Sequence, residues 1–391
     1  MNVAILGIEQ DSQYVVNVIE NLYNPWLETI NKMPLNVVAY AMGGVNVNPP
    51  VREIGGKAVL NFEEFADLYH KKLIHKIIIP RESYCGITPY VIHLKSLGIK
   101  ADDVCLTQRL SAVFYKTRHL NTEFNLRDFI ELYPYAKYLP YLEFRIADHC
   151  NLNCKACAEF SSLVKKPHFP NLKKFTRDFE RLHEFINDIG MIYILGGEPL
   201  LNPEINEYVR LSRRLYPQSL INVVTNGFLL LNMPGEFFET LRECNASISI
   251  SYYFPLEKKT EQIKRFLDAK EVNYSLSGKT PREDFFVNTC LEPRDTPKLF
   301  TCEYSGCRNL WEGKLTNCYK SSAIKIFNEY FNQNLPEDSG LIDLYDPTLT
   351  TEKLQAKLLE PFELCKYCTT DQWRKWGRVT YPASINDWLA D

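Results

Sequence analysis

Apolar and polar positions along this chain fall into two blocks, each alternating short strand-like runs with helix-spaced segments. In the first block, Val3–Gly7 and Asn36–Met42 are apolar runs of strand length, and Gln13–Leu22 carries helical spacing between them. Asn61 precedes a helical pattern that runs to His70, with Glu63 and Glu64 in its first turn, as an N-cap and the helix dipole prefer. His75–Pro80 is a buried-type strand, and Thr88–Leu97 a further helix stopped by Gly98. Residues 120–140, rich in Tyr and Leu with Pro134 and Pro140, break the alternation. It restarts with strands expected at Tyr141–Ala147, Ile192–Leu195, Ile221–Thr225, Ser247–Tyr252 and Val272–Leu276. Helices are expected at Leu172–Ile189, Glu204–Leu215, Glu236–Glu243 and Glu257–Ala269. Strands alternating with helices imply parallel sheets covered by helices, so the fold class is α/β.

The expected organisation is a parallel-sheet domain over 1–115, a connecting segment over 116–140, a partial βα-barrel over 141–285 and a small α+β domain over 286–391. The barrel shows too few repeats for eight strands, and a partial (β/α)6 form is expected. The chain has 391 residues and a net charge of −3, with no dense basic tract, which argues against a nucleic-acid partner. No apolar run reaches the roughly 20 residues of a membrane span. The opening MNVAILGIEQ reads as folded structure rather than a targeting peptide, so a cytoplasmic location is expected.

The twelve cysteines change the picture. A cytosolic chain keeps its thiols reduced, which argues against a disulfide framework. Cys85, Cys105, Cys244 and Cys290 stand apart and read as small core residues, whereas the other eight form two tight groups, the pattern of metal ligation. In F-R-I-A-D-H-C-N-L-N-C-K-A-C-A-E-F, Cys150, Cys154 and Cys157 follow C-x3-C-x2-C on the loop after an apolar strand. Three thiolates supply three irons of a cube and leave the fourth open to chemistry. A structural zinc site is the alternative, but a fourth ligand is lacking nearby, because His149 is too close to Cys150 in sequence to share an ion with it.

This spacing resembles the signature of the radical S-adenosylmethionine (SAM) superfamily, and two further motifs follow in order. Ile194–Leu200, I-L-G-G-E-P-L, resembles the GGEP motif of that family, and Val223–Gly227, V-V-T-N-G, its T-N-G segment. The resemblance implies a [4Fe–4S] cluster on Cys150, Cys154 and Cys157, and SAM contacts from Gly196, Gly197, Glu198, Pro199, Thr225 and Asn226. Glu198 is suited to pair with the SAM ammonium. Ser251 is expected to offer a hydroxyl from the fourth strand. The family often has an aromatic residue before the third cysteine. Here it is Ala156, leaving the adenine contact to backbone or to Phe160.

The second group reads C-E-Y-S-G-C-R-N-L-W-E-G-K-L-T-N-C, followed by C-K-Y-C. Leu310–Leu315 reads as a β-hairpin turning near Gly313. Ten residues separate Cys302 from Gly313 and four separate Gly313 from Cys318, which resembles the opening of SPASM and twitch domains; the closing pair resembles the shorter twitch form. The resemblance implies one auxiliary [4Fe–4S] cluster on Cys302, Cys318, Cys365 and Cys368, with Cys307 spare or in place of Cys302. A four-cysteine zinc site also fits this spacing. Trp373 and Trp376 are expected to cover this cluster.

The first domain resembles small Rossmann-like domains that precede sugar-modifying transferases, by its layout of strand and helix followed by V-L-N-F-E-E-F and I-I-I-P. Its first turn, G-I-E-Q-D-S, keeps one of the three glycines of a dinucleotide fingerprint. The function these resemblances imply is reductive cleavage of SAM to a 5′-deoxyadenosyl radical that abstracts hydrogen from a small carbohydrate or nucleotide-sugar-type substrate. The auxiliary cluster would take or relay an electron in oxidoreductase-type chemistry, and a flavodoxin- or ferredoxin-type protein would be the reductant. A SPASM-type maturase of ribosomal peptides is the competing enzyme, and a non-catalytic iron–sulfur electron carrier the non-enzymatic alternative. The sequence names no general base among His119, His168 and His183. Tyr252 and Tyr253 are candidates to line a substrate pocket.

Overall fold

In a computed structural model the chain forms two compact units, Met1–Leu139 and Pro140–Asp391. The structure describes residues 1–8, 10–29, 31–43, 48–80, 87–107, 133–134, 137–294, 307–358 and 360–390. Cys85, His119, Cys302 and most of the expected connecting segment lie outside the described residues.

The first unit contains β1 (Asn2–Leu6), α1 (Gln10–Val18), α2 (Asn24–Thr29), β2 (Asn36–Met42), β3 (Glu53–Ile54), β4 (Lys57–Asn61), α3 (Phe62–His70), β5 (Lys76–Ile79), α4 (Ile87–Ser96), β6 (Val104–Leu106) and β7 (Tyr133–Pro134). They form one sheet in the order β3-β4-β2-β1-β5-β6-β7. Strands β4, β2, β1, β5 and β6 run parallel to their neighbours, with β3 and β7 antiparallel at the edges. Asn61 caps α3 through a reciprocal pair: its side chain accepts from Glu64 N while the Glu64 carboxylate accepts from Asn61 N. Phe62, Phe65 and Ala66 then face the core. The helix expected over Gln13–Leu22 is interrupted. Pro25 has no N–H to continue the ladder, so Asn24 N–H reaches back five residues to Ile19 O through a wider turn at Ile19–Tyr23.

The strand–helix repeats of the second unit open with β8 (Tyr138–Arg145), whose first two residues precede the boundary, and continue with α5 (Leu172–Phe185), β9 (Asp188–Leu195), α6 (Ile205–Leu215), β10 (Leu220–Thr225), α7 (Gly235–Glu243), β11 (Ala246–Ile250), α8 (Thr260–Ala269) and β12 (Asn273–Leu276). After them come β13 (Asp284–Thr289), β14 (Asn309–Trp311), β15 (Lys314–Thr316), α9 (Tyr319–Phe331), β16 (Leu341–Asp343), α10 (Thr351–Lys357) and β17 (Cys368–Lys375). An eight-stranded sheet runs β12-β11-β10-β9-β8-β14-β15-β16, and β13 pairs with β17 in a separate antiparallel ribbon. The hairpin β14–β15 therefore extends the same sheet as the strand–helix repeats, through Asn309 beside Glu143.

All eight residues of β8 are buried. One face packs on helices: the Phe144 ring lies 4.6 Å from that of Phe175 on α5 and 6.3 Å from that of Tyr208 on α6. Tyr141, Glu143 and Arg145 share the opposite face, as the period of two requires, and Tyr141 Oη donates to Glu143 Oε2 at 2.7 Å. α5 ends at Phe185, short of the expected Ile189. Ile186 and Ile189 continue the helical spacing and are fully buried, but Gly190 and the β-branched residues around it are claimed by β9, whose hydrogen bonds outweigh that pattern.

Candidate active site

The carboxyl ends of β8 to β11 converge on a cavity of about 320 Å³. Cys150, Cys154, Ala156 and Cys157 line it from the loop after β8, Gly196 and Gly197 from the end of β9, Thr225 and Asn226 from the end of β10, and Ser251 from the end of β11. Burial pushes the Cys150 thiol up to about 12, with Cys157 and Glu198 adding to it while Leu152 N–H and the Asn226 amide oppose it. The Cys154 and Cys157 thiols are raised in the same way. Three crowded, dehydrated thiols ionise together only beside a compensating cation, which is the environment that a cationic iron core supplies. Among the described residues no three His, Cys, Asp or Glu side chains converge closely enough to hold a single metal ion.

The Gly-Gly pair does its work against protein backbone. Gly196 has φ +149°, and a Cβ there would stand 2.4 Å from Ala147 O; at Gly197 a Cβ would meet His149 O. The close approach lets Gly197 N donate to Ala147 O at 2.9 Å and Glu198 N to His149 O at 3.0 Å, so the end of β9 holds the start of the cysteine loop. Glu198 does not line the cavity. Its buried carboxylate accepts from Thr225 Oγ1 (2.7 Å), Asn226 N (2.9 Å) and Leu200 N (3.1 Å), and burial outweighs these donors to raise it to about 7. Pro199 opens the buried turn that follows. Asn226 carries the chain of contacts onward, its amide reaching Cys150 Sγ at 3.5 Å and Asn151 Oδ1 at 2.7 Å.

Phe160 is 1% exposed and packs with Phe327 and Leu163 in the core, so its ring is unavailable to an adenine. Tyr253 lines the cavity and its phenol is raised by burial and then by the Cys154 and Cys157 thiols; Tyr252 does not line it. His168 and His183 lie elsewhere, His183 stacking on Tyr216. The remaining polar lining is Glu143, Glu159, Arg282, Asp284 and Tyr319.

The chain following β17 also secures the cysteine loop, a part the sequence did not reveal. Lys155 N donates to Gly377 O at 2.8 Å, Val379 N to Asn153 O at 2.9 Å and Trp388 Nε1 to Cys157 O at 3.2 Å. Trp373 lines this cavity, and the Trp376 indole lies beside Cys154 and lowers its pKa. The expectation that Trp376 covers the second cysteine group is therefore corrected, while Trp373 shares its cavity with Tyr319, which lies near Cys318 and Cys368. An extended strand advances roughly 3.3 Å per residue, so β17 carries Trp376 some 26 Å along the chain from Cys368.

In the second group, Cys318 sits at the N-cap of α9, Cys365 in the turn at Glu363–Tyr367 and Cys368 at the start of β17. Of these, Cys318 and Cys368 lie near Tyr319. Its buried phenol is raised well above 10 by burial, then by Cys318 and Cys368, with Glu159 and Cys307 adding to it. Cys365 neighbours Cys368. The cysteines read as core residues, Cys105, Cys244 and Cys290, are buried.

Residues 144–291 match the family model described as the radical SAM superfamily. The chain carries a radical SAM domain. Among curated proteins it is similar to GTP 3′,8-cyclase of Alkaliphilus oremlandii (strain OhILAs), 28% identical over 171 residues, covering 42% of this chain and 47% of the relative. GTP 3′,8-cyclase of Desulforamulus reducens is 32% identical over 107 residues, covering 26% and 31%. The chain thus spans about half the length, or less, of the curated relatives it matches. Among solved structures, BtrN in complex with AdoMet and 2-DOIA overlaps with a TM-score of 0.37 at 15% identity, over 60% of this chain and 94% of that one. The AdoMet complex of anSMEcpe overlaps with a TM-score of 0.30 at 21% identity, over 36% and 43%. The superfamily implies a [4Fe–4S] cluster and SAM, and the three cysteine thiols lining one radical SAM cavity fit that group. Among the described residues no helix is long and apolar enough to cross a membrane.

Proposed function

We propose that Cys150, Cys154 and Cys157 hold a [4Fe–4S] cluster with one iron open to SAM, and that the enzyme abstracts hydrogen from a small carbohydrate or nucleotide-sugar-type substrate. The observation that carries this is the convergence of the three thiols with Gly196, Gly197, Thr225, Asn226 and Ser251 on one cavity at the strand ends. When bound, the cluster supplies the electron that splits SAM to methionine and a 5′-deoxyadenosyl radical. The chain's own residues do the rest. The Gly-Gly turn and the tail at 376–388 hold the cysteine loop in place, and the Glu198–Thr225–Asn226 contacts fix the β10 end against Cys150. Tyr253, Phe285 and Trp373 screen the reacting space from water.

A second cluster is proposed on Cys318, Cys365 and Cys368. The fourth ligand is Cys302 or Cys307. This cluster would accept or relay the electron of an oxidation, and a flavodoxin- or ferredoxin-type protein would deliver the electron for SAM cleavage. A small-molecule substrate suits a 320 Å³ cavity with a few polar groups. The parallel strand order in the first unit is the doubly wound one of nucleotide-binding folds, which suits a nucleotide-sugar.

The test is anaerobic reconstitution followed by reduction with dithionite in the presence of SAM. About eight irons per chain and formation of 5′-deoxyadenosine are expected, and Cys150→Ala should bring the nucleoside to background and iron to about four. Nucleoside formation unaffected by Cys150→Ala would sink the reading. A thermal-shift screen with SAM present should single out a nucleotide-sugar or sugar phosphate; stabilisation only by peptides would move the substrate to the maturase class.

A further inference from the structure

We infer that Lys320 is the charge-balancing cation of the second cysteine site and raises its reduction potential. The inference rests on reading that group as an auxiliary [4Fe–4S] site.

Lysine almost never gives up water, because its long stem lets the ammonium reach solvent. Lys320 is an exception, 1% exposed in the first turn of α9, two residues after Cys318. Its Nζ donates to Asn288 O at 2.8 Å and to Tyr367 O at 3.0 Å. Tyr367 is the residue before Cys368 and two after Cys365, so the ammonium is fastened directly to the segment carrying those two thiols. Both acceptors are neutral carbonyls, and among the described residues no carboxylate pairs with Lys320.

A buried ammonium held only by neutral dipoles retains much of its desolvation cost, and a nearby anion removes it. A cube bound by four thiolates is such an anion. It is more negative by one charge when reduced, so a fixed cation beside it favours the reduced form. Lys320 is thus a positioning residue that acts through the cluster and has no contact with substrate.

The experiment uses the full chain carrying Cys150→Ala, Cys154→Ala and Cys157→Ala, so that only the second cluster is read, and adds Lys320→Met or Lys320→Arg. Iron content and the potential from an EPR-monitored redox titration are measured. Lys320→Met is expected to keep about four irons and to make reduction at least tenfold less favourable, about 59 mV for one electron, while Lys320→Arg restores most of the potential. An iron-replete Lys320→Met protein with an unmoved potential overturns the inference, as does an arginine variant shifted as far as the methionine one. If Lys320→Met fails to hold iron, recovery of iron in Lys320→Arg supports the charge role and failure there overturns it. A triple-alanine parent without iron overturns the auxiliary cluster itself, which separates that failure from the failure of Lys320's role.

Discussion

At the scale of one residue, Glu198, which the GGEP resemblance offers as a partner for the SAM ammonium, is fully buried and its carboxylate accepts from Thr225 and Asn226. A carboxyl raised to about 7 binds its proton more tightly in the folded state than in the unfolded one. The stability it contributes is therefore present in acid and is lost as pH rises through about 7. Thermal melts of the cluster-free protein should fall between about pH 5 and about pH 7.5, and Glu198→Gln should flatten that fall. An unchanged slope in the variant would assign it to another group. Trp376 is the opposite case, a residue whose neighbourhood the sequence misassigned. Trp376→Ala should impair 5′-deoxyadenosine formation several-fold while the iron of the second group stays, read by comparing iron content in the triple-alanine background. Loss of iron from the second group instead would restore the original expectation.

Elements governed by local rules were the most legible. Asn61 with Glu64 fixes the start of α3 by capping alone, and Glu312-Gly313 fixes the β14–β15 turn, with φ of +49° and +80°. At Gly313 an added Cβ would also stand 3.0 Å from the Tyr345 ring and 3.2 Å from Asp178 Oδ1. Gly313→Ala should cost about 1–2 kcal/mol in urea unfolding. Gly235 has open space around its Cβ at the start of α7, and Gly235→Ala should be neutral or stabilising by up to about 1 kcal/mol. Equal effects at the two sites would show that the turn tolerates a side chain. Boundaries failed where two local signals competed. Ile186 and Ile189 keep the helical period, yet Ile189 belongs to β9, because pairing with β10 is a long-range gain invisible to a local window.

At the scale of the whole molecule, the described residues lining the radical SAM cavity run from Glu143 to Trp373, and β8 begins at Tyr138. A chain beginning at Lys137 should therefore still reconstitute its clusters and cleave SAM within about twofold of the full chain, while the response to a nucleotide-sugar is lost. Loss of SAM cleavage in a folded, iron-replete truncation would tie the chemistry to the first unit. The sequence by itself determined the α/β class, the order of the motifs and the close spacing of Cys150, Cys154 and Cys157, because these are patterns read along short stretches of chain. The tertiary structure alone decided that Glu198 faces Thr225, that the Gly-Gly turn and the tail at 376–388 grip the cysteine loop, and that Lys320 lies buried against Tyr367 O. Those contacts join residues tens to hundreds of positions apart, and their partners are chosen by burial and hydrogen-bond satisfaction across the fold, which no local pattern encodes.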